Sequence, residues 1–220
     1  MDLQLSVFLL FILFTAGHSL SCYVCSNPTG SCVGQQTVTT CTDASPQCTS
    51  SIIGAQVEGI SSTGNTKACA AACLSQSFNF GIVRTTVSCC NTDLCNLADV
   101  PEPVATGKSC YYCDGQSCSN TVKCAGIEDR CINGTASASG QSTVAKGCVS
   151  KSLCDATTSV SVGFGNATCC EGNLCNGAQS VTQTTQSVTQ TTLSSSDSTM
   201  RHGAEYIACI LSVLYVLVLR

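Results

Sequence analysis

Polar and apolar residues alternate with the period of a strand in four stretches of the chain. Gln36 to Cys41 (QTVTTC) alternates and is β-branched. Thr49 to Val57, Ile82 to Cys90 (IVRTTVSCC) and Ser142 to Val149 read the same way. Clusters of glycine, asparagine and serine, Gly59 to Asn65 and Ser137 to Gly140, separate such stretches. Lys67 to Leu74 (KACAAACL) is alanine-rich but broken by two cysteines, and reads as strand and turn. No segment has the apolar spacing of an amphipathic helix. The pattern predicts an all-β protein built of short strands.

The cysteines organise those strands. Twenty of the 21 fall into two sets of ten. One set opens Cys22-Tyr23-Val24-Cys25 and the other Cys110-Tyr111-Tyr112-Cys113. They close with Cys89-Cys90-Asn91-Thr92-Asp93-Leu94-Cys95-Asn96 and Cys169-Cys170-Glu171-Gly172-Asn173-Leu174-Cys175-Asn176. This is an internal repeat, and it predicts two modules, residues 20–97 and 109–177, joined by a linker over 98–108. The linker region holds two of the four prolines and no cysteine. The second copy is shorter only between cysteines, so loops vary while the closing spacing is kept. A module of roughly 70 residues buries about 60% of its unfolded surface, too little to be stable without staples. Paired thiols in such number persist outside the cytosol.

The two ends agree with that compartment. Leu3 to Ala16 is apolar and leads into small and polar residues, which reads as a secretory signal peptide over residues 1–19. Cleavage is expected after Ser19, with Ser21 as the alternative. At the other end, Ile207 to Leu219 is apolar and follows a polar spacer from Thr199 to Tyr206. Small residues precede the spacer. This order reads as a signal for a glycosylphosphatidylinositol (GPI) anchor, with residues 199–220 removed. Ser196 is the expected attachment site, with Asp197 and Ser194 as alternatives. A short membrane-spanning helix is the competing reading of the tail. Residues 178–198 are almost wholly Ser, Thr, Gln and Val, and read as a stalk without a core of its own.

Composition then excludes chemistry. After both cuts Cys209 is lost, leaving an even twenty cysteines, and His18 and His202, the only histidines, are lost as well. No Ser–His–Asp or Cys–His catalytic set survives, so no enzyme is expected. The Cys-x-x-Cys pairs read as disulfides rather than zinc ligands. No metal and no cofactor are expected. A formal charge of −4 with no basic run argues against nucleic acid. Glu128-Asp129 beside Arg130 reads as a solvated turn. Asn133-Gly134-Thr135 and Asn166-Ala167-Thr168 are N-glycosylation sequons.

The opening Cys-x-x-Cys, the ten ordered cysteines and the closing Cys-Cys-x4-Cys-Asn carry a resemblance. Each module resembles a Ly6/uPAR (three-finger, LU) domain, and the layout resembles two-domain, GPI-anchored Ly6/PLAUR-domain, urokinase receptor-like surface proteins. The spacing alone leaves the connectivity open. The resemblance implies Cys22–Cys48, Cys25–Cys32, Cys41–Cys69, Cys73–Cys89 and Cys90–Cys95 in the first module. In the second it implies Cys110–Cys131, Cys113–Cys118, Cys124–Cys148, Cys154–Cys169 and Cys170–Cys175. It implies that Asn96 and Asn176 tie the chain end back to the knot. It also places second-finger tips near Gly54 to Asn65 and Asn133 to Ala145, and makes fingers the binding elements. Ile52, Ile53, Val57 and Ile60 are the candidate contact patch on the first module's middle finger. The expected protein is a non-catalytic surface receptor or adhesion protein. It would bind an extracellular protein and sit on the outer membrane face through a GPI lipid. The alternative is a secreted protein similar to two-domain phospholipase A2 inhibitors.

Overall fold

The computed structural model describes residues 19–42, 46–57, 60–138, 141–159 and 164–177. The expected leader (apart from Ser19), the stalk, Ser196 and its alternatives, and the apolar tail lie outside the described residues. The first module contributes β1 (Ser21–Asn27), β2 (Thr37–Thr40), β3 (Gln47–Val57), β4 (Ile60–Ala70), β5 (Gln76–Asn79) and β6 (Val83–Cys90). The second contributes β7 (Ala105–Tyr112), β8 (Asn120–Ala125), β9 (Glu128–Ala138), β10 (Gln141–Ser150), α1 (Lys151–Ser159) and β11 (Phe164–Cys170). The fold is all-β, as the alternation predicts.

Disulfides replace a conventional core in each module. Cys22–Cys48, Cys25–Cys32, Cys41–Cys69, Cys73–Cys89 and Cys90–Cys95 are closed in the first. Cys110–Cys131, Cys113–Cys118, Cys124–Cys148, Cys154–Cys169 and Cys170–Cys175 are closed in the second. In each module two bridges touch: the Cys41 and Cys22 sulfurs are 3.2 Å apart, and those of Cys110 and Cys124 are 3.3 Å apart. The closing asparagines complete the knots. Asn96 Oδ1 accepts from the Tyr23 N–H at 2.9 Å, while its Nδ2 donates to the Tyr23 and Thr49 carbonyls. Asn176 repeats this with the Tyr111 N–H and the Tyr111 and Ile132 carbonyls.

The two modules share one sheet. Its nine strands run β11-β9-β10-β5-β6-β3-β4-β1-β2, every neighbouring pair antiparallel, with β7-β8 as a separate hairpin. The junction is β5 against β10, with Asn79 opposite Cys148 and Phe78 opposite Val149. In the first module the outer edge of β4 is paired with β1. In the second, the corresponding edge of β10 receives β5 from the first module instead.

The structure departs from the sequence pattern in two places. α1 is a helix although its residues show no helical period. Nine residues hold too few turns to show a period, and its real signal is local. The Ser150 hydroxyl accepts from the Leu153 N–H at 3.4 Å, an N-cap, and Lys151 pairs with Asp155 one turn on. Gly59 to Asn65 reads as a separator in the sequence, yet β4 begins at Ile60. There the strand is held by its ladder to β3, in unbroken register from Val57↔Ile60 to Gln47↔Ala70, rather than by side-chain preference.

Candidate functional site

Among the described residues, the largest cluster of buried apolar side chains spans the module junction. Phe78 and Phe80 sit two residues apart on and beyond β5, so both rings point to one side. Their centroids are 5.2 Å apart and each residue is 1% exposed. They pack with Val83 of their own module against Ile132, Ala145, Val149 and Leu153 of the other. Two glycines let the backbones approach. A Cβ on Gly147 would lie 2.2 Å from the Asn79 carbonyl oxygen. Gly81 has φ +81° and lies under the Tyr112 ring, where a Cβ would come within 2.2 Å.

A buried polar group crosses the same junction. Glu128 is 0% exposed on β9. Its carboxylate accepts from the Ser77 hydroxyl of the first module and the Ala125 N–H, each at 2.8 Å. Burial pushes the Glu128 pKa up; the two hydrogen bonds and the charge of Arg84 oppose this without cancelling it. The solvated turn expected at Glu128-Asp129 is therefore wrong for Glu128. Adjacency in sequence hid that successive strand residues face opposite sides: Asp129 is exposed and pairs with Arg130 at 2.9 Å. Ser77 N–H to Ser150 Oγ at 3.1 Å and Ser152 Oγ to the Ser75 carbonyl at 2.8 Å add further cross-junction bonds.

The segment between the modules is also pinned. Lys67, on β4, is 2% exposed. Its ammonium donates to Gln36 Oε1 at 2.7 Å and to the Leu97 carbonyl, and lies 3.1 Å from Asp99 Oδ1. Asp99 Oδ2 accepts from the Ser31 hydroxyl at 2.6 Å and the Cys32 N–H at 3.0 Å. Burial would raise the Asp99 pKa, but the Ser31, Lys67 and Cys32 hydrogen bonds together hold it below the ordinary carboxylate value. Further on, Glu102 pairs with Arg84 of β6 at 2.9 Å.

Docked this way, the modules enclose an open cleft of about 370 Å³. Gln56 and Thr63 of the first module's middle finger line one wall, Asn79 and Arg84 the floor, and Val122 and Lys123 of the second module the far side. Ile52 lines the cleft and is buried, whereas Ile60 is 74% exposed near the fingertip. Successive residues Ile52 and Ile53 point to opposite faces of β3, and Ile53 is half-buried. Val57 is opposite Ile60 in the ladder, and its side chain lies outside the described residues. The four candidate residues thus share one finger but not one face. Asn133 is half-buried in mid-strand on β9, between Lys146 and Thr168 of the flanking strands. The Asn166 side chain lies outside the described residues.

The arrangement offers hydrogen-bonding groups, charge and an exposed isoleucine. Among the described residues, clusters with metal-ligand spacing are Cys22, Cys41, Cys69 and Cys110, Cys124, Cys148. Every sulfur in them is already in a disulfide, so none is a free thiolate. Sequence reading missed Phe78, Phe80, Gly147, Lys67 and Asp99. The alternation of Ser77-Phe78-Asn79-Phe80-Gly81 was a legible signal for a two-sided strand. Nothing local marks Lys67 or Asp99.

Comparison with known proteins adds the following. Residues 20–96 and 109–176 each match the family described as snake toxin and toxin-like protein. Human Ly6/PLAUR domain-containing protein 2 is 39% identical over 90 residues, spanning 38% of this chain and 67% of the relative. Chicken (Gallus gallus) lymphocyte antigen 6E is 30% identical over 83 residues, 37% of this chain and 64% of the relative. The crystal structure of mouse TEX101 covers 70% of this chain and 99% of its own, at 17% identity and a TM-score of 0.31.

Proposed function

Because the chain belongs to the snake toxin and toxin-like protein family, as two tandem Ly6/uPAR domains, we propose that it is a GPI-anchored protein of the outer cell surface that binds an extracellular protein. Membership of the family points to a non-enzymatic, binding or receptor-like protein. Its Ly6/PLAUR relatives are typically extracellular, at the cell surface or secreted. Among the described residues no helix is long and apolar enough to cross a membrane.

The observation that carries the reading is the cleft between two domains locked into one sheet, with the middle finger of domain 1 standing over it. A rigid scaffold presenting loops at a concave junction suits protein recognition, since little ordering entropy is lost on binding. Ile60 is the exposed anchor of that finger. Asn133 and Asn166 are the proposed glycan sites and Ser196 the proposed lipid attachment, with Asp197 and Ser194 as alternatives.

The test is surface staining of expressing cells before and after phosphatidylinositol-specific phospholipase C. Release into the medium is expected. Protein found only in the medium before treatment would overturn the anchored reading and favour the secreted, inhibitor-like one. For the surface itself, Ile60→Asp should leave folding unchanged and lower binding of the soluble ectodomain to partner-bearing cells by about tenfold or more.

A further inference from the structure

In the junction cleft the charge balance of the chain is reversed. The whole sequence carries 13 acids against 9 lysines and arginines. Yet the cleft is lined by Arg84 and Lys123 and by a single acid, Glu102. Its floor is one row across four strands. Asn79 of β5, Arg84 of β6, Gly54 of β3 and Thr63 of β4 are successive ladder partners. Gly54 leaves that row open next to Arg84, since a Cβ there would meet nothing within 4 Å.

Arg84 is held in a way that leaves it available. Its side chain is 28% exposed, and its Nη2 donates to Glu102 Oε2 at 2.9 Å, on a side chain that is 68% exposed. An ion pair this exposed is weak, because water screens it. The other carboxylate whose charge couples to Arg84 is the buried Glu128, which is committed to the Ser77 hydroxyl and the Ala125 N–H. A guanidinium presents five N–H donors in a planar fork and grips a carboxylate best through two of them. One bond to Glu102 leaves most of that fork unused. Lys123 is exposed on the far wall and, among the described residues, is in no ion pair. Gln56, Ser61, Ser62 and Thr63 complete the lining with neutral donors and acceptors, which suit an extended peptide backbone.

We propose that the cleft takes an acidic segment of the protein partner, one carboxylate replacing Glu102 on Arg84 and a second acid meeting Lys123. Glu102 is the internal stand-in: it shows that a carboxylate fits at Arg84, and the partner displaces it. Two cations in an acidic chain are too few for a sulfated polysaccharide, whose charge repeats along its length. The assignment rests on the protein-binding role proposed above and names the chemistry of that partner.

The probe is acetyl-Gly-Glu-Gly-Glu-Gly-amide, added to the purified full ectodomain at low salt and followed through the Gly54 and Thr63 amide signals by NMR. Saturable movement is expected, weakening as salt is raised. The neutral counterpart, acetyl-Gly-Gln-Gly-Gln-Gly-amide, should leave the signals in place. Arg84→Gln should weaken binding of the glutamate peptide by about tenfold or more, and Lys123→Gln by about two- to fivefold. Glu102→Gln alters only an exposed side chain, so the fold is kept, and loss of the competitor should tighten the peptide by about two- to fivefold. Unchanged or weaker binding in Glu102→Gln overturns the displacement. Equal binding of the two peptides, or no movement with either, overturns the acidic-segment assignment. So does a heparin tetrasaccharide that moves the same signals where the glutamate peptide does not. No cell, anchor or natural partner enters this measurement, so its failure leaves Ile60→Asp on cells to judge the binding role separately.

Discussion

Gly147, like Gly81, sits where the two domains approach too closely for a side chain, and Gly147→Ala is a small change with a large expected consequence. The added methyl would lie 2.2 Å from the Asn79 carbonyl oxygen and 2.7 Å from the Phe80 ring, where ordinary contacts begin near 3.4 Å. β5 must therefore retreat from β10 by roughly 1 Å, because neither a backbone carbonyl nor a packed ring can turn aside. Retreat within a preserved junction costs about 1–3 kcal/mol as overpacking. Full separation also exposes Phe78 and Phe80, each worth about 1.5–3 kcal/mol when buried. It further leaves Glu128 without the Ser77 hydroxyl. A loss of about 3–5 kcal/mol is expected, read as a fall in Tm of roughly 10 °C for an ectodomain of this size. Small-angle scattering should show a larger radius of gyration, since each domain keeps its own five disulfides while the docking fails. The control is Gly54→Ala on β3, where a Cβ meets nothing within 4 Å. There alanine should be neutral or slightly stabilising, because it removes unfolded-state freedom. If Gly147→Ala behaves like Gly54→Ala in both Tm and scattering, the shared sheet does not hold the domains together.

Three further outcomes follow from the buried charges and the knot. The folded-state pKa of Glu128 is raised, so its contribution to stability is fully present below the ordinary glutamate value, near 4.5, and is lost as pH rises through the folded value. Glu128→Gln should flatten that part of the Tm–pH curve above pH 4.5; an unchanged curve would exclude Glu128 as its source. Asp99 has the opposite sign: its pKa is lowered, so its stabilisation exists above the ordinary aspartate value and fades as pH falls through the folded one. Asp99→Ala leaves Lys67 buried without its counter-charge and should cost about 3–5 kcal/mol in denaturant melts, with Lys67→Met largely restoring the loss in the double variant. Asn176→Ala removes three hydrogen bonds to the Tyr111 and Ile132 backbone and should lower stability by about 2–4 kcal/mol in guanidinium melts of the oxidised protein.

Much of the fold was legible because its determinants are local. Short β-branched runs announced β2, β3, β6 and β10 within a residue or two. The doubled Cys-Cys-x4-Cys-Asn announced two copies of one knot, and Asn96 and Asn176 make the same three bonds in each. The helix α1 was missed because an N-cap at Ser150 and one ion pair make a faint signal over nine residues. Glu128 was misread because its burial depends on a partner strand from the other domain. The candidate patch on the middle finger divides by face, since strand parity places Ile52 in the cleft wall and Ile53 opposite.

The chain by itself determined an all-β, twice-repeated disulfide scaffold. Cysteine order, strand period and composition are readable one segment at a time, so one sequence suffices for them. Tertiary structure alone decided that β5 crosses to β10 and that the Phe78 and Phe80 rings close the junction. It also decided that buried Lys67 meets Asp99 as its counter-charge. Those facts depend on distances between segments some 70 residues apart, such as Ser77 and Ser150. No local propensity encodes such distances; they arise only when burial and backbone pairing are satisfied across both domains at once.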